Sequence, residues 1–273
     1  MFTLWNKNQE KDFFAKSLEF ATPEQLFYVT KDKKYLAYWP KNYEGAKTTL
    51  QSRNALIGSY TEKWVTDLFS EIAKSIGGYS VQCVICEEIG LPNQSPADVA
   101  ICKTKDVIQK PQNVLMIIEV KMSVVWNWEL MPENSDTMLK AIGKSINIRV
   151  ASFSASKIPI IVIGNTPITK SYYDKVDHLK RNGIIQGFWS INPNPLDDNG
   201  ENIKSTPYKG FYLYDDYKEL KQNALNLLKE EREFFCSMQT RRRLGEFVET
   251  ANRETTYEAK AVKFLELLHQ SEK

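Results

Sequence analysis

The sequence predicts an α/β fold in which a central mixed β-sheet is flanked by helices. Apolar residues recur at spacings of three and four in two long segments, which is typical of helices, and shorter segments are continuously apolar, which is typical of buried strands. Their order is helix, three strands, helix, strand, helix, strand. Because a strand that follows a crossover helix adds parallel to its predecessor, the predicted sheet is an antiparallel meander extended by parallel strands.

The first helix is predicted over residues 52–76, and Gly77-Gly78 ends it. Loops rich in Pro, Gly and Asn separate the three strands of the meander. We expect these strands at 79–86, 97–102 and 113–125, later helices at 135–152 and 168–182, and later strands at 156–165 and 183–192. The predicted organisation is a single domain with an N-terminal extension at 1–51, a core at 52–192 and a mostly helical C-terminal extension at 193–273.

Composition excludes several classes of protein. The chain has 273 residues, with 36 Lys and Arg against 34 Asp and Glu, and only two histidines, His178 and His269, so catalysis built on several histidines is not expected. No apolar run approaches the roughly 20 residues that span a bilayer, and no secretory leader is expected. With only four cysteines, the chain is predicted to be cytoplasmic. Neither a Walker motif nor a dinucleotide fingerprint occurs, so no nucleotide cofactor is expected.

Three E-x-K triplets occur, and only the context of each separates them. Glu219-Leu220-Lys221 and Glu258-Ala259-Lys260 lie in helix-like, charged stretches and are interpreted as solvated faces. Glu119-Val120-Lys121 instead follows the apolar run at 114–118 inside a predicted strand. Strand residues alternate between faces, so Glu119 and Lys121 project on the same side.

A carboxylate in such a strand needs a partner or a metal ion. The simplest interpretation is a structural ion pair between Glu119 and Lys121. A second carboxylate favours a different interpretation, a cation site. Asp98 opens the preceding strand and can lie beside Glu119 if the two strands are antiparallel. Two carboxylates on one sheet face can bind a hard divalent cation such as Mg²⁺.

The motif Pro96-Ala97-Asp98, twenty intervening residues and then Glu119-x-Lys121 resembles that of the PD-(D/E)xK nuclease superfamily. The predicted order of helix, three-strand meander, helix and strand over residues 52–163 also resembles the restriction-endonuclease-like core of that superfamily. The resemblance implies that Asp98 and Glu119 bind Mg²⁺, with the carbonyl of Val120 as a further ligand, and that Lys121 positions the attacking water.

The resemblance also implies a third acidic residue, on the first core helix. Gly58 to Glu62 matches a G-x-x-x-E spacing found in the superfamily, so Glu62 is the favoured candidate. Four other carboxylates remain open as alternatives, namely Asp67, Glu71, Glu87 and Glu88.

Basic residues at two places are candidates for DNA contact. The second core helix carries Lys140, Lys144 and Arg149, which are placed to border a DNA groove. The triplet Arg241-Arg242-Arg243 lies in the C-terminal region and is suited to phosphate contacts. A solvated helix face explains each set nearly as well.

The resemblance implies a Mg²⁺-dependent endonuclease that acts on double-stranded DNA, most like a type II restriction enzyme. Such enzymes are usually homodimers, since a palindromic site mirrors two-fold symmetry. The amphipathic stretch at 259–269 is a candidate dimer surface. Two alternatives remain: a repair or junction-processing nuclease of the same superfamily, and a non-catalytic DNA-binding protein with the same fold.

Overall fold

A mixed sheet forms the centre of the protein. The computed structural model describes residues 4, 6–18, 28–29, 35–36, 50–122, 134–165, 168, 170–191, 203–229 and 239–271. In these ranges six strands form one sheet in their order along the chain, and two short N-terminal strands pair separately. The strands are β1 (Tyr28–Val29), β2 (Tyr35–Leu36), β3 (Tyr79–Val84), β4 (Ala97–Cys102), β5 (Val114–Lys121), β6 (Ile160–Gly164), β7 (Gly187–Ser190) and β8 (Phe211–Leu213).

Helices precede, connect and follow these strands. The first core helix is amphipathic, since Val65, Leu68, Phe69 and Ile72 recur on one side and are fully buried. It ends just before Gly77, whose φ of 72° is left-handed. The helices are α1 (Lys7–Leu18), α2 (Leu50–Ser75), α3 (Asn134–Ala151), α4 (Phe153–Ser156), α5 (Tyr173–Arg181), α6 (Tyr217–Lys229), α7 (Arg241–Ala251) and α8 (Tyr257–Ser271).

Strand directions follow the connections. β3, β4 and β5 are antiparallel neighbours joined by loops. β6, β7 and β8 are each parallel to the strand before. The predicted mixed sheet with flanking helices is therefore confirmed.

Two apolar cores cover the two faces of the sheet. On one face, Val99, Ile118 and Ile161 pack with α2 and α6. On the other face, Ala100, Ile117 and Ile160 pack with α3 and α5. Side chains alternate along β5, so Glu119 points to the same face as Ile117, the face that α3 covers.

The core extends beyond its predicted end at residue 192. β8 pairs with β7, and Leu220 and Ala224 of α6 are fully buried against the sheet. The prediction stopped too early because β8 has only three residues and follows a long polar segment. Among the helices that the structure describes, none combines the length and the apolar character needed to cross a membrane.

Candidate active site

Antiparallel pairing of β4 and β5 brings the two predicted carboxylates together. Val99 lies opposite Ile118, and continuing this register places Asp98 opposite Glu119. Asp98 Oδ2 also accepts a hydrogen bond of 2.8 Å from the backbone N–H of Val120. The Glu119 side chain is completely buried, whereas that of Asp98 is 17% exposed. The predicted convergence of the two side chains is confirmed.

Lys121 joins both carboxylates. Its Nζ lies 3.0 Å from Asp98 Oδ2 and 3.3 Å from Glu119 Oε2. It also donates a hydrogen bond of 3.1 Å to the carbonyl oxygen of Val120. The ammonium group thus contacts the same three residues that the resemblance implies as cation ligands.

Lys144 is a second lysine in the site. Its Nζ, supplied by α3, lies 2.8 Å from Glu119 Oε1 and 3.4 Å from Asp98 Oδ1, and it donates a 2.6 Å hydrogen bond to the carbonyl of Pro96. Its side chain is only 18% exposed. The sequence predicts that Lys144 borders a DNA groove. The structure instead places its amine against the carboxylates, because Lys144 lies on the side of α3 that faces β4 and β5.

The charges in this cluster determine the protonation of its members. Burial raises the pKa of Asp98, but Lys121 and Lys144 outweigh burial and hold it below its ordinary value. Burial and the negative charge of Asp98 raise the pKa of Glu119, although both lysines oppose them. Burial lowers the pKa of Lys121, but the two carboxylates outweigh this and raise it, so its amine stays charged.

The oxygen atoms in the cluster suit a hard cation. Glu119 Oε1 is buried and accepts no hydrogen bond of good geometry, although Lys144 Nζ is an ion-pair distance away. Among the described residues, no three His, Cys, Asp or Glu side chains converge as a metal-binding group. A cation here would therefore be held by Asp98, Glu119 and the carbonyl of Val120 and would complete its shell with water or substrate oxygens, as Mg²⁺ commonly does.

Glu62 approaches the cluster from α2. Its Oε2 accepts a 3.0 Å hydrogen bond from Gln82 Nε2 on β3, and Cys83 Sγ lies 3.9 Å from the same oxygen. Burial is the largest effect that raises the pKa of Glu62; the bond from Gln82 lowers it and the charge of Asp98 raises it further. Gln82 could not have been found from the sequence, because only the packing of α2 on β3 brings it to Glu62.

The four alternative carboxylates are all exposed, which favours Glu62 as the third acidic residue of the site. Glu71 Oε2 lies 3.8 Å from Nζ of Lys221, a residue of the adjacent helix α6. Glu87 and Glu88 lie in a short 3₁₀ turn after β3. Asp67 lies on the exposed side of α2.

Arg149 has a structural role. Its guanidinium donates to the backbone carbonyls of Ala155, Ser156, Ile158 and Ile184 and to the side chain of Gln186, with distances between 2.6 and 3.0 Å. These bonds use most of its five N–H groups, so the prediction that Arg149 borders a DNA groove loses its support. Lys140 is exposed on the same helix.

The arginine triplet begins helix α7. All three residues are exposed, and Arg242 and Arg243 make ion pairs with Glu246 at 3.3 and 2.9 Å. Thr240 caps this helix by accepting a hydrogen bond from the N–H of Arg243. Exposed pairs of this kind contribute little stability, so the guanidinium groups can exchange Glu246 for a phosphate at low cost.

Comparisons of the chain with protein-family models, with curated proteins and with solved structures find no match.

Proposed function

We propose that this protein is a Mg²⁺-dependent endonuclease that hydrolyses phosphodiester bonds of double-stranded DNA. One observation carries the proposal: Asp98 and Glu119, on adjacent antiparallel strands, share the ammonium of Lys121 at 3.0 and 3.3 Å. The sequence spacing and this geometry are those expected of a PD-(D/E)xK active site. Of the three E-x-K triplets, only this one lies in a strand of the sheet.

Each residue of the site has a proposed task. Asp98, Glu119 and the carbonyl of Val120 would hold Mg²⁺, whose chemistry at such a site is to stabilise negative charge on the phosphate and to make water easier to deprotonate. Lys121 is charged and therefore acts as a hydrogen-bond donor, which places positive charge where the transition state gains negative charge. Glu62, whose carboxylate on α2 is close enough to feel the charge of Asp98, would help to hold a metal ion through water, as the resemblance implies.

A groove beside β3 has a basic lining that would suit a polyanionic substrate. Its volume is about 500 Å³, and the described residues that line it include Lys74 and Lys105 and no acidic residue. Tyr79 also lines it, with Lys105 Nζ 5.1 Å from the centre of its ring. The groove extends to Gln82, which holds Glu62. A phosphodiester backbone bound by these lysines would thus be led towards the carboxylates.

Type II restriction activity and a homodimer complete the proposal. The branch within the superfamily is chosen by resemblance, from the size of the chain and the segments on both sides of its core. A dimer would match the two-fold symmetry of a palindromic site. Helices α7 and α8, which pack on each other, expose the apolar side chains of Val248, Val262 and Leu265 and offer a surface for it.

The test is digestion of long duplex DNA with Mg²⁺, followed by sequencing of the product ends. We expect discrete fragments with one end sequence, no cleavage by Asp98→Ala, and DNA binding by that variant retained in Ca²⁺. Asp174→Ala is the control, because it removes an exposed carboxylate of α5 that belongs neither to the proposed site nor to the proposed dimer surface, and it should cleave normally.

Other outcomes are equally informative. Cleavage that depends on branched structure rather than on sequence would replace restriction by junction processing. Unchanged cleavage by Asp98→Ala, or no cleavage of any DNA by the wild-type protein, would overturn the proposed active site.

A further inference from the structure

Lys144 and Lys121 divide the carboxylate oxygens between them. Lys144 Nζ approaches Glu119 Oε1 and Asp98 Oδ1, at 2.8 and 3.4 Å. Lys121 Nζ approaches the other two oxygens, Glu119 Oε2 and Asp98 Oδ2, at 3.3 and 3.0 Å. Every oxygen of the carboxylate pair therefore faces an ammonium group, which balances two formal negative charges with two positive ones.

This balance offsets the cost of burying two carboxylates side by side. Neighbouring carboxylates repel each other, and burial in a low-dielectric site increases the repulsion. Two ammonium groups offset that repulsion and keep both side chains in position. Glu119 needs this most, since its side chain is completely buried.

The same balance opposes a divalent cation. An ion held by Asp98 and Glu119 would lie close to both ammonium groups, and like charges at such distances repel strongly. Each lysine also donates to a backbone carbonyl, Lys121 to Val120 and Lys144 to Pro96. Lys121 is two residues from Glu119 on the same strand, so its amine stays beside the carboxylates. Lys144 reaches the site from a different element, α3, so its flexible stem can carry its amine away from the carboxylates while β4 and β5 stay in place.

We propose that Lys144 is a displaceable counter-ion that occupies the cation site of the metal-free protein. Its ammonium positions Glu119 and Asp98 and competes with the incoming divalent ion for Oε1 and Oδ1. Lys144 is therefore a positioning residue, which acts through the two carboxylates. This inference rests on the proposed function, because it takes Asp98 and Glu119 to be the residues that hold the cation.

Replacing Lys144 has two opposite consequences under this proposal. Lys144→Met keeps an unbranched side chain and removes the charge, so the metal-free protein should melt at a lower temperature. The variant should nevertheless bind Mg²⁺ about tenfold more tightly, because one of the two competing charges is gone. A purely structural role would weaken both stability and binding. Lys144→Arg keeps the charge and should recover most of the stability.

The experiment measures Mg²⁺ and Ca²⁺ binding by titration calorimetry, and melting temperature with and without the ions, on the full chain. It compares wild type, Lys144→Met and Lys144→Arg with Lys218→Met, which removes an exposed lysine of α6. Tighter binding by Lys144→Met alone supports the proposal, as does binding by that variant when the wild-type protein binds none. Equal or weaker binding by Lys144→Met overturns it and leaves the proposed function intact. Absence of binding by every protein overturns both.

A second readout needs no variant. In the wild-type protein, the rate at which an acylating reagent modifies Lys144 can be followed by peptide mass spectrometry, with Lys218 as the internal reference. Added Mg²⁺ should release the Lys144 amine and increase its modification several-fold relative to Lys218. An unchanged or decreased ratio at saturating Mg²⁺ would refute displacement.

Discussion

Asp98 Oδ2 accepts a 2.8 Å hydrogen bond from the backbone N–H of Val120, the central residue of the E-x-K triplet. The same oxygen lies 3.0 Å from Lys121 Nζ. One carboxylate oxygen therefore fixes both the backbone and the lysine of the triplet on the next strand. Asp98 is a structural part of the site as well as a proposed cation ligand.

The ion pairs of Asp98 should make stability depend on pH. Burial raises the pKa of Asp98, but Lys121 and Lys144 hold it below its ordinary value. A depressed pKa in the folded state stabilises the protein above the unfolded value of about 3.9, and this stabilisation is lost as the pH falls through the folded value. Without metal ions, Asp98→Asn should cost about 1–3 kcal/mol at pH 7.

The measurement is the free energy of unfolding in urea, from pH 7 down to pH 3, for wild type and Asp98→Asn in the presence of a chelator. The difference between the two proteins should shrink as the pH falls below about 4. A difference that stays constant over this pH range would show that the negative charge of Asp98 does not stabilise the folded protein.

Gly164 should be essential to the geometry of Lys121. A Cβ atom at Gly164 would lie 2.8 Å from the carbonyl oxygen of Lys121 on the neighbouring strand, which is too close. Gly164→Ala should therefore push β6 away from β5 and cost about 1–3 kcal/mol of stability. Cleavage should fall with it, since the backbone of the E-x-K triplet moves.

Gly143→Ala is the matched control. It lies in helix α3, and its Cβ would meet no atom within 4 Å. It should stabilise the protein by up to about 1 kcal/mol, because Ala favours the helix. Thermal melts of both variants test the pair; equal effects would contradict the close approach at Gly164.

Arg149 should matter for folding rather than for DNA binding. Arg149→Met removes the donors for four backbone carbonyls and for Gln186 and should cost about 3 kcal/mol or more. Lys140→Met, on the exposed side of the same helix, should change stability by less than about 0.5 kcal/mol. Urea unfolding distinguishes the two, and a mild effect of Arg149→Met would return it to the candidates for phosphate contact.

Cys83 should report on the charge of Glu62. Partial burial and the negative charges of Glu62 and Asp98 raise the pKa of this exposed thiol, so little thiolate forms near pH 7 and alkylation is slow. Glu62→Gln should lower that pKa and accelerate alkylation of Cys83 several-fold.

The signal is assigned with Cys83→Ser, because the chain has other thiols. Cys86 and Cys102 are buried, and burial raises the pKa of Cys102 to about 12, so both should react slowly in the folded protein. If Cys83 is alkylated at the same rate in Glu62→Gln as in the wild-type protein, the 3.9 Å contact between Cys83 Sγ and Glu62 Oε2 is not maintained in solution.

The sequence by itself determined the sheet and the E-x-K part of the site. Apolar patterning places β4 and β5, and the alternation of side chains in strands places Glu119 and Lys121 on one face. The position of Asp98 beside Glu119 can be predicted once the two strands are taken as antiparallel. The register between neighbouring strands of a meander is set by their own apolar pattern and by the loop that joins them. Residues carried on strands of this kind are thus predictable from their spacing together with the apolar residues that surround them.

Only the tertiary structure decided the roles of residues on the helices. Lys144 and Arg149 lie on one helix and look alike in sequence, yet one contacts the carboxylates and the other holds five interior acceptors. Which residue meets the sheet depends on how α3 is rotated and where it crosses β4 and β5, and many distant contacts set both. A sequence pattern predicts that a helix has a polar side, but the packing of the helix determines which group each charged side chain contacts.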